Sequence, residues 1–135
     1  MKYIKSFNES IEFLTYTQFM EDIKDILLPI SDLGYDIDVN MVKDDDTNRI
    51  YVRVVSYGDP FLVWNKDIEE EFNRLREFSL ENGFKLSKVY YITEDSSGNR
   101  SDRIIIPYES FLEVKEKKPI INLLFELEQI TRWNT

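Results

Sequence analysis

Between Tyr35 and Val55 the chain alternates apolar and polar residues with a period of two. Tyr35, Ile37, Val39 and Met41 are separated by Asp36, Asp38 and Asn40. After the polar cluster Asp44-Asp45-Asp46-Thr47-Asn48 the pattern resumes with Ile50, Val52 and Val54, separated by Tyr51 and Arg53. Such a period puts alternate side chains on opposite faces of a strand, one buried and one wet. The β-branched and aromatic content suits a pleated surface. The stretch Leu33 to Tyr57 therefore predicts a β-hairpin with residues 44–47 as its loop. Pairing Met41 with Ile50, Val39 with Val52 and Ile37 with Val54 keeps apolar residues together and sets Asp38 opposite Arg53. A slip of one residue would set Val39 against Arg53 and bury a charge, so the pattern also fixes the register.

A helical period brackets this hairpin. Phe19, Ile23, Ile26, Leu27 and Ile30 form one stripe over residues 15–30, with Thr15 or Thr17 as N-cap. Pro29 strains its last turn, and Gly34 offers a left-handed exit. Gly58-Asp59-Pro60 is a turn signal, and Phe61 to Trp64 is a short edge strand or a plug for the core. Ile68, Phe72, Leu75 and Phe78 make a second stripe, capped by Asn65 or Asp67 and ended by Gly83. Glu69, Glu70 and Glu71 suit the positive end of that helix's dipole.

Phe84 to Glu94 reads as a third strand and Arg103 to Ile106 as a fourth, joined by Ser96-Ser97-Gly98-Asn99 and closed by Pro107. In the third strand Leu86, Lys88, Tyr90 and Ile92 share one side while Val89 and Tyr91 share the other. Either both faces are covered or a bulge shifts the phase. Phe111 to Val114 reads as a short strand or turn, and residues 115–118 as solvated. Pro119 then opens a last helix with Ile120, Leu123, Leu124, Leu127 and Ile130 at helical spacing.

Leu33-Gly34-Tyr35 after the first helix is echoed by Asn82-Gly83-Phe84 after the second. Two αββ units in tandem predict an α+β two-layer sandwich: a four-stranded, mainly antiparallel sheet, helices on one face, and a C-terminal helix. Residues 15–135 form one domain of ordinary size, preceded by an arm or short helix over residues 1–14.

Charge and composition narrow the chemistry. The net charge is −9, with 26 acids against 17 bases. Such a chain is repelled by phosphate backbones and anionic lipid unless its bases cluster. No run is long and apolar enough to span a bilayer, and no secretory signal follows Met1. There is no cysteine and no histidine. Thiolate chemistry and disulfides are excluded, as is the commonest general acid–base residue, so a Ser–His–Asp arrangement cannot form. A metal site would have to be built from carboxylates.

Three patterns test that possibility. Asp44-Asp45-Asp46-Thr47-Asn48 starts like a calcium loop, but Arg49 stands where the loop glycine belongs and Val55 where the bidentate acid belongs. Glu113-Val114-Lys115 has the Glu-x-Lys form of metal-dependent nucleases, with Asp95 or Asp102 as the upstream acid, yet no basic groove accompanies it. The aromatics Tyr51, Tyr57, Phe61, Trp64, Tyr90, Tyr91 and Tyr108 suit base stacking, but acids outnumber bases around them, which favours a core and a protein-binding face. The wet face of the hairpin supplies the candidate interaction surface: Asp36, Asp38, Asp44, Asp45, Asp46, Tyr51 and Arg53. Its acids either solvate an edge or imitate a phosphate backbone.

The opening Met1-Lys2-Tyr3-Ile4-Lys5-Ser6-Phe7-Asn8-Glu9 resembles the Met-Lys-x-Ile-Lys-x-Phe-x-Glu start of small uncharacterised proteins of large tailed bacteriophages. The stretch Asp32 to Val39 is similar to the body of such proteins. Some virion proteins of that group are cleaved after an apolar-x-Glu sequence, which Phe7-Asn8-Glu9 fits loosely. The resemblance implies origin more than activity. The resulting expectation is a non-enzymatic, phage-encoded interaction protein, located in the virion or the host cytoplasm. It uses no cofactor, metal, membrane or direct nucleic-acid contact, and its partner is a virion component, a host protein or a second copy of itself. The alternatives are an acidic nucleic-acid mimic that inhibits a host nucleic-acid-binding protein, and a metal-dependent nuclease.

Overall fold

The computed structural model describes residues 15–43, 47–56, 62–114 and 119–130. The first helix, α1, covers residues 15–26, and α2 is Leu28–Asp32. The strand–strand hairpin is β1, Tyr35–Lys43, and β2, Asn48–Ser56. Then come α3 (Lys66–Glu81), β3 (Phe84–Thr93), β4 (Ile104–Pro107), α4 (Tyr108–Glu113) and β5 (Ile120–Gln129). The strands form one antiparallel sheet of five, in the order β1-β2-β5-β3-β4.

The hairpin has the register its apolar pattern demands. Met41 faces Ile50, Val39 faces Val52, Ile37 faces Val54, and Asp38 faces Arg53. Pro29 does more than strain the first helix. Lacking an N–H, it cannot continue the i→i−4 ladder. The helix breaks at Leu27, and α2 restarts with the proline in its first turn. Gly34, at φ +100°, then turns the chain into β1. In α3 the cap is Asn65, whose Oδ1 accepts a hydrogen bond from the Ile68 N–H at 2.9 Å. Ile68, Phe72 and Leu75 are buried as the stripe requires. Leu62 is buried and pairs with Ile120 through two backbone hydrogen bonds, so the 62–64 stretch acts as a plug with a single bridge. Residue 61, the loop acids 44–46 and the 1–14 arm lie outside the described residues.

The C-terminal segment corrects the sequence reading. Residues 120–129 form a strand, not a helix, and this strand is the middle of the sheet. The expected four strands become five. Leu123, Phe125 and Leu127 are buried while Asn122 is exposed and Leu124 half-buried. A run of Ile and Leu with Pro119 ahead satisfies both a helical and a two-residue period, and packing on both sides decides for the strand. A second correction falls on Phe111 to Val114, expected as a short strand or turn: residues 111–113 are the last turn of the helix Tyr108–Glu113, and Val114 is its C-cap. The two αββ units do form, but they do not pair with each other. β5 enters between them and pairs with β2 on one side and β3 on the other.

The third strand carries the bulge that its mixed pattern allowed. Leu86 faces Leu127 and Lys88 faces Glu126, so Ser87 is the additional residue. Phe84 and Leu86 before it, and Val89 and Tyr91 after it, are all buried. Aromatic rings from the helices close over these positions. Phe72 stacks on Phe125 at 4.2 Å between centroids, Phe19 stacks on Phe84 at 5.0 Å, and Phe111 meets Tyr91 edge-on at 5.1 Å. Replacing Phe125 by Ala should cost about 3–5 kcal/mol by chemical denaturation. Leu80→Ala on the exposed side of α3 should stay within about 0.5 kcal/mol. Equal effects would refute the central position of β5.

Candidate functional site

The sheet's other face is built around one carboxylate. Glu126, on β5, is 5% exposed. Its Oε1 accepts hydrogen bonds from the Tyr51 hydroxyl at 3.1 Å and the Tyr90 hydroxyl at 3.2 Å. The Ser87 hydroxyl lies 3.1 Å from Oε2 and 3.3 Å from the Glu126 carbonyl oxygen, two acceptors for one proton. Arg49 Nε is 3.9 Å from Oε1 and supplies the nearest positive charge. A buried charge is tolerated only when paired and hydrogen-bonded, and here the two flanking strands supply that compensation. Tyr51 comes from β2, and Tyr90 and the bulged Ser87 come from β3.

The arrangement acts back on the phenols. Burial, and then the neighbouring Glu126 charge and its hydrogen bonds, push both Tyr51 and Tyr90 above their ordinary value of 10.0. Burial alone raises Tyr91, and burial chiefly raises Tyr108, whose hydroxyl donates to Asn73 Oδ1 at 3.0 Å in the core. All four phenols are therefore neutral at physiological pH, and those of Tyr51, Tyr90 and Tyr108 donate hydrogen bonds.

Around Glu126 the face is mixed. Arg49, Tyr51 and Arg53 stand on β2, Asn122 and Leu124 on β5, Tyr90 and Ile92 on β3, and Arg103 precedes β4. Arg103 lies over the Tyr90 ring at 4.8 Å, and Ile105 of β4 is 52% exposed. Asp36 and Asp38, from β1, share this face at its edge, and Asp36 Oδ1 accepts from the Ile37 N–H at 3.1 Å. Of the residues singled out by sequence, Asp36, Asp38, Tyr51 and Arg53 thus come together, whereas Asp44, Asp45 and Asp46 lie outside the described residues.

The seven aromatics separate. Trp64, Tyr91 and Tyr108 pack in the core, Tyr51 and Tyr90 belong to this face, and Tyr57 and Phe61 lie outside the described residues. The neighbours of Tyr51 and Tyr90 include Arg49, Arg53 and Arg103, which linear counting of acids could not reveal. Glu126, Ser87, Asn122 and Arg103 escaped sequence reasoning. A two-residue period over 122–128 was the available signal, since it places Asn122, Leu124, Glu126 and Glu128 together.

Of the nuclease residues, Asp95 accepts from the Ser97 and Asn99 N–H groups at 2.9 Å each, closing its turn, and Glu113 is exposed at the end of α4. Among the described residues no three acids gather as a metal site, and no helix is long and apolar enough to cross a membrane. No protein-family model, no curated protein and no solved structure matches the chain.

The raised phenols carry a pH dependence of defined sign. A group whose pKa is higher folded than unfolded contributes stability that is complete below its unfolded value and falls as pH rises past it. Stability should therefore decline above pH 10.0 as the unfolded chain sheds phenolic protons first. Removing the charge with Glu126→Gln should lower the titration of Tyr51 and Tyr90 while leaving Tyr91 in place. Residue-resolved NMR titration of the tyrosine rings checks this. A shift of Tyr91 equal to that of Tyr51 would contradict it.

Proposed function

We propose that the chain is a non-enzymatic interaction protein that recognises a protein partner through the sheet face opposite the helices. The observation that carries this reading is the composition of that face: Tyr51, Tyr90, Leu124 and Ile105 interleaved with Arg49, Arg53 and Arg103. Tyr and Arg are the residue types enriched where proteins anchor one another. The two-layer reading, with helices on one side only, belongs to this proposal, since it leaves the other side of the sheet to a partner. Glu126 gives the face rigidity. Its bonds fix two tyrosine rings before any partner arrives, which reduces the ordering cost of association.

The surface expected from sequence is thereby widened from the acidic hairpin to the whole sheet. The phage-like opening supports a virion component or a host protein as partner. An acidic nucleic-acid mimic is less well supported. Asp36 and Asp38 share their face with three arginines, which breaks the single-sign field that such mimicry uses.

The test is selective capture. Immobilised protein should retain a partner from virion extract or host lysate, and the doubly substituted Arg53→Glu, Ile105→Glu protein should lose it. Glu77→Lys on exposed α3 should keep it. A partner retained by the double variant but lost by Glu77→Lys, or none captured from either source, contradicts the reading.

A further inference from the structure

Beside Glu126 the same face dips into a cavity of about 370 Å³, lined by Arg53, Tyr90, Ile92, Arg103, Asn122 and Leu124 among others. Its origin is a second irregularity of the sheet. Between the pairs Tyr90–Leu124 and Ile92–Ile121, β3 advances two residues and β5 three. Asn122 falls in this interval with φ +55°, the one non-glycine residue with positive φ among those described. Asparagine tolerates that region better than most residues. On the other side of β5 the partner also changes here. Leu123 faces Val54 of β2, but Ile120 pairs with Leu62. The ladder is thus interrupted on both flanks of Asn122, and the surface is concave where it would otherwise be flat.

The lining has a definite chemistry. Arg53 enters from β2 and Arg103 from beside β4, three strands away, roughly 14 Å at the usual strand spacing. Leu124 and Ile92 lie between them as an apolar floor. Among the described residues no carboxylate forms an ion pair with Arg53 or Arg103, although Asp38 faces Arg53 in the register. Arg103 is placed by the Tyr90 ring, and Tyr90 by its bond to Glu126. In a chain of net charge −9, two guanidinium groups that make no ion pair among the described residues line this one cavity and concentrate positive charge there. Guanidinium groups present forked donors that match the oxygens of carboxylates and phosphates. The volume is at the small end of the range for small-molecule sites, roughly 300–1,000 Å³.

We propose that this cavity binds a small organic oxyanion. A carboxylate or phosphate monoester head sits between Arg53 and Arg103, the Asn122 side-chain amide adds a neutral donor, and an apolar body rests on Leu124 and Ile92. The site does not depend on the protein-partner reading, because pure compounds test it.

Phenyl phosphate, benzoate and inorganic phosphate are titrated separately into the full chain, with backbone amide signals followed by NMR. At least one of the two aromatic anions should saturate, moving Arg53, Asn122 and Arg103. Saturation by phenyl phosphate alone assigns a phosphate ester, and by benzoate alone a carboxylate. Arg53→Gln and Arg103→Gln should each weaken binding about tenfold or more, the loss of one charge-assisted contact. Arg74→Gln on α3 should leave it unchanged. Three results would overturn the proposal: no saturation at roughly millimolar ligand, equal weakening by Arg74→Gln, or inorganic phosphate binding as well as phenyl phosphate.

Discussion

The two-faced alternation of β5 is the constraint on which the rest of the molecule depends. Leu123, Phe125 and Leu127 face the helices, while Leu124 and Glu126 face away. Phe125 is pressed between strands on both sides and the rings of Phe72 and Tyr108 above. Neither αββ unit has a neighbour without this strand. Each hairpin alone would leave an unpaired edge and half a core, since a two-stranded ribbon is marginal by itself in water. The last of the described elements therefore closes a sheet whose other strands precede it, and its pairings are long-range in sequence. Such contacts repay their loop-closure entropy late.

Glu126 translates that packing into a surface. A carboxylate in the middle of a sheet is costly, and its cost is met by donors from two flanking strands. The same bonds orient Tyr51 and Tyr90, and Tyr90 orients Arg103. A chain of contacts thus runs from the buried centre of the sheet to its outer edge. Bulges at Ser87 and Asn122 lie on either side of Glu126 along the sheet. One brings a hydroxyl to the carboxylate, and the other opens the cavity beside it. Bulges often re-aim side chains in this way near functional sites.

Much of the fold was legible because local and tertiary demands agreed. The β1–β2 register followed from Ile37, Val39 and Met41 needing apolar partners, and the α3 stripe followed from a clean helical period with Asn65 as its cap. Legibility ended where both periods fitted. In residues 120–130, apolar residues at 120, 123, 124, 127 and 130 suit a helix, while 123, 125 and 127 suit a strand. Only the two neighbouring strands choose between them. The site was half legible for the same reason. Tyr51, Arg53, Asp36 and Asp38 belong to the hairpin whose faces were known. Glu126, Asn122 and Arg103 come together only through the strand order, which no local pattern encodes.

The most direct test of this account is the backbone conformation of residues 120–129 in solution. NMR should show cross-strand contacts from Phe125 to both Val52 and Val89, the partners that the register assigns. It should also show slow amide exchange over Leu123 to Leu127, as a central strand requires. A run of helical i,i+3 contacts across these residues, with no contact from Phe125 to Val52 or Val89, would contradict the account at its centre.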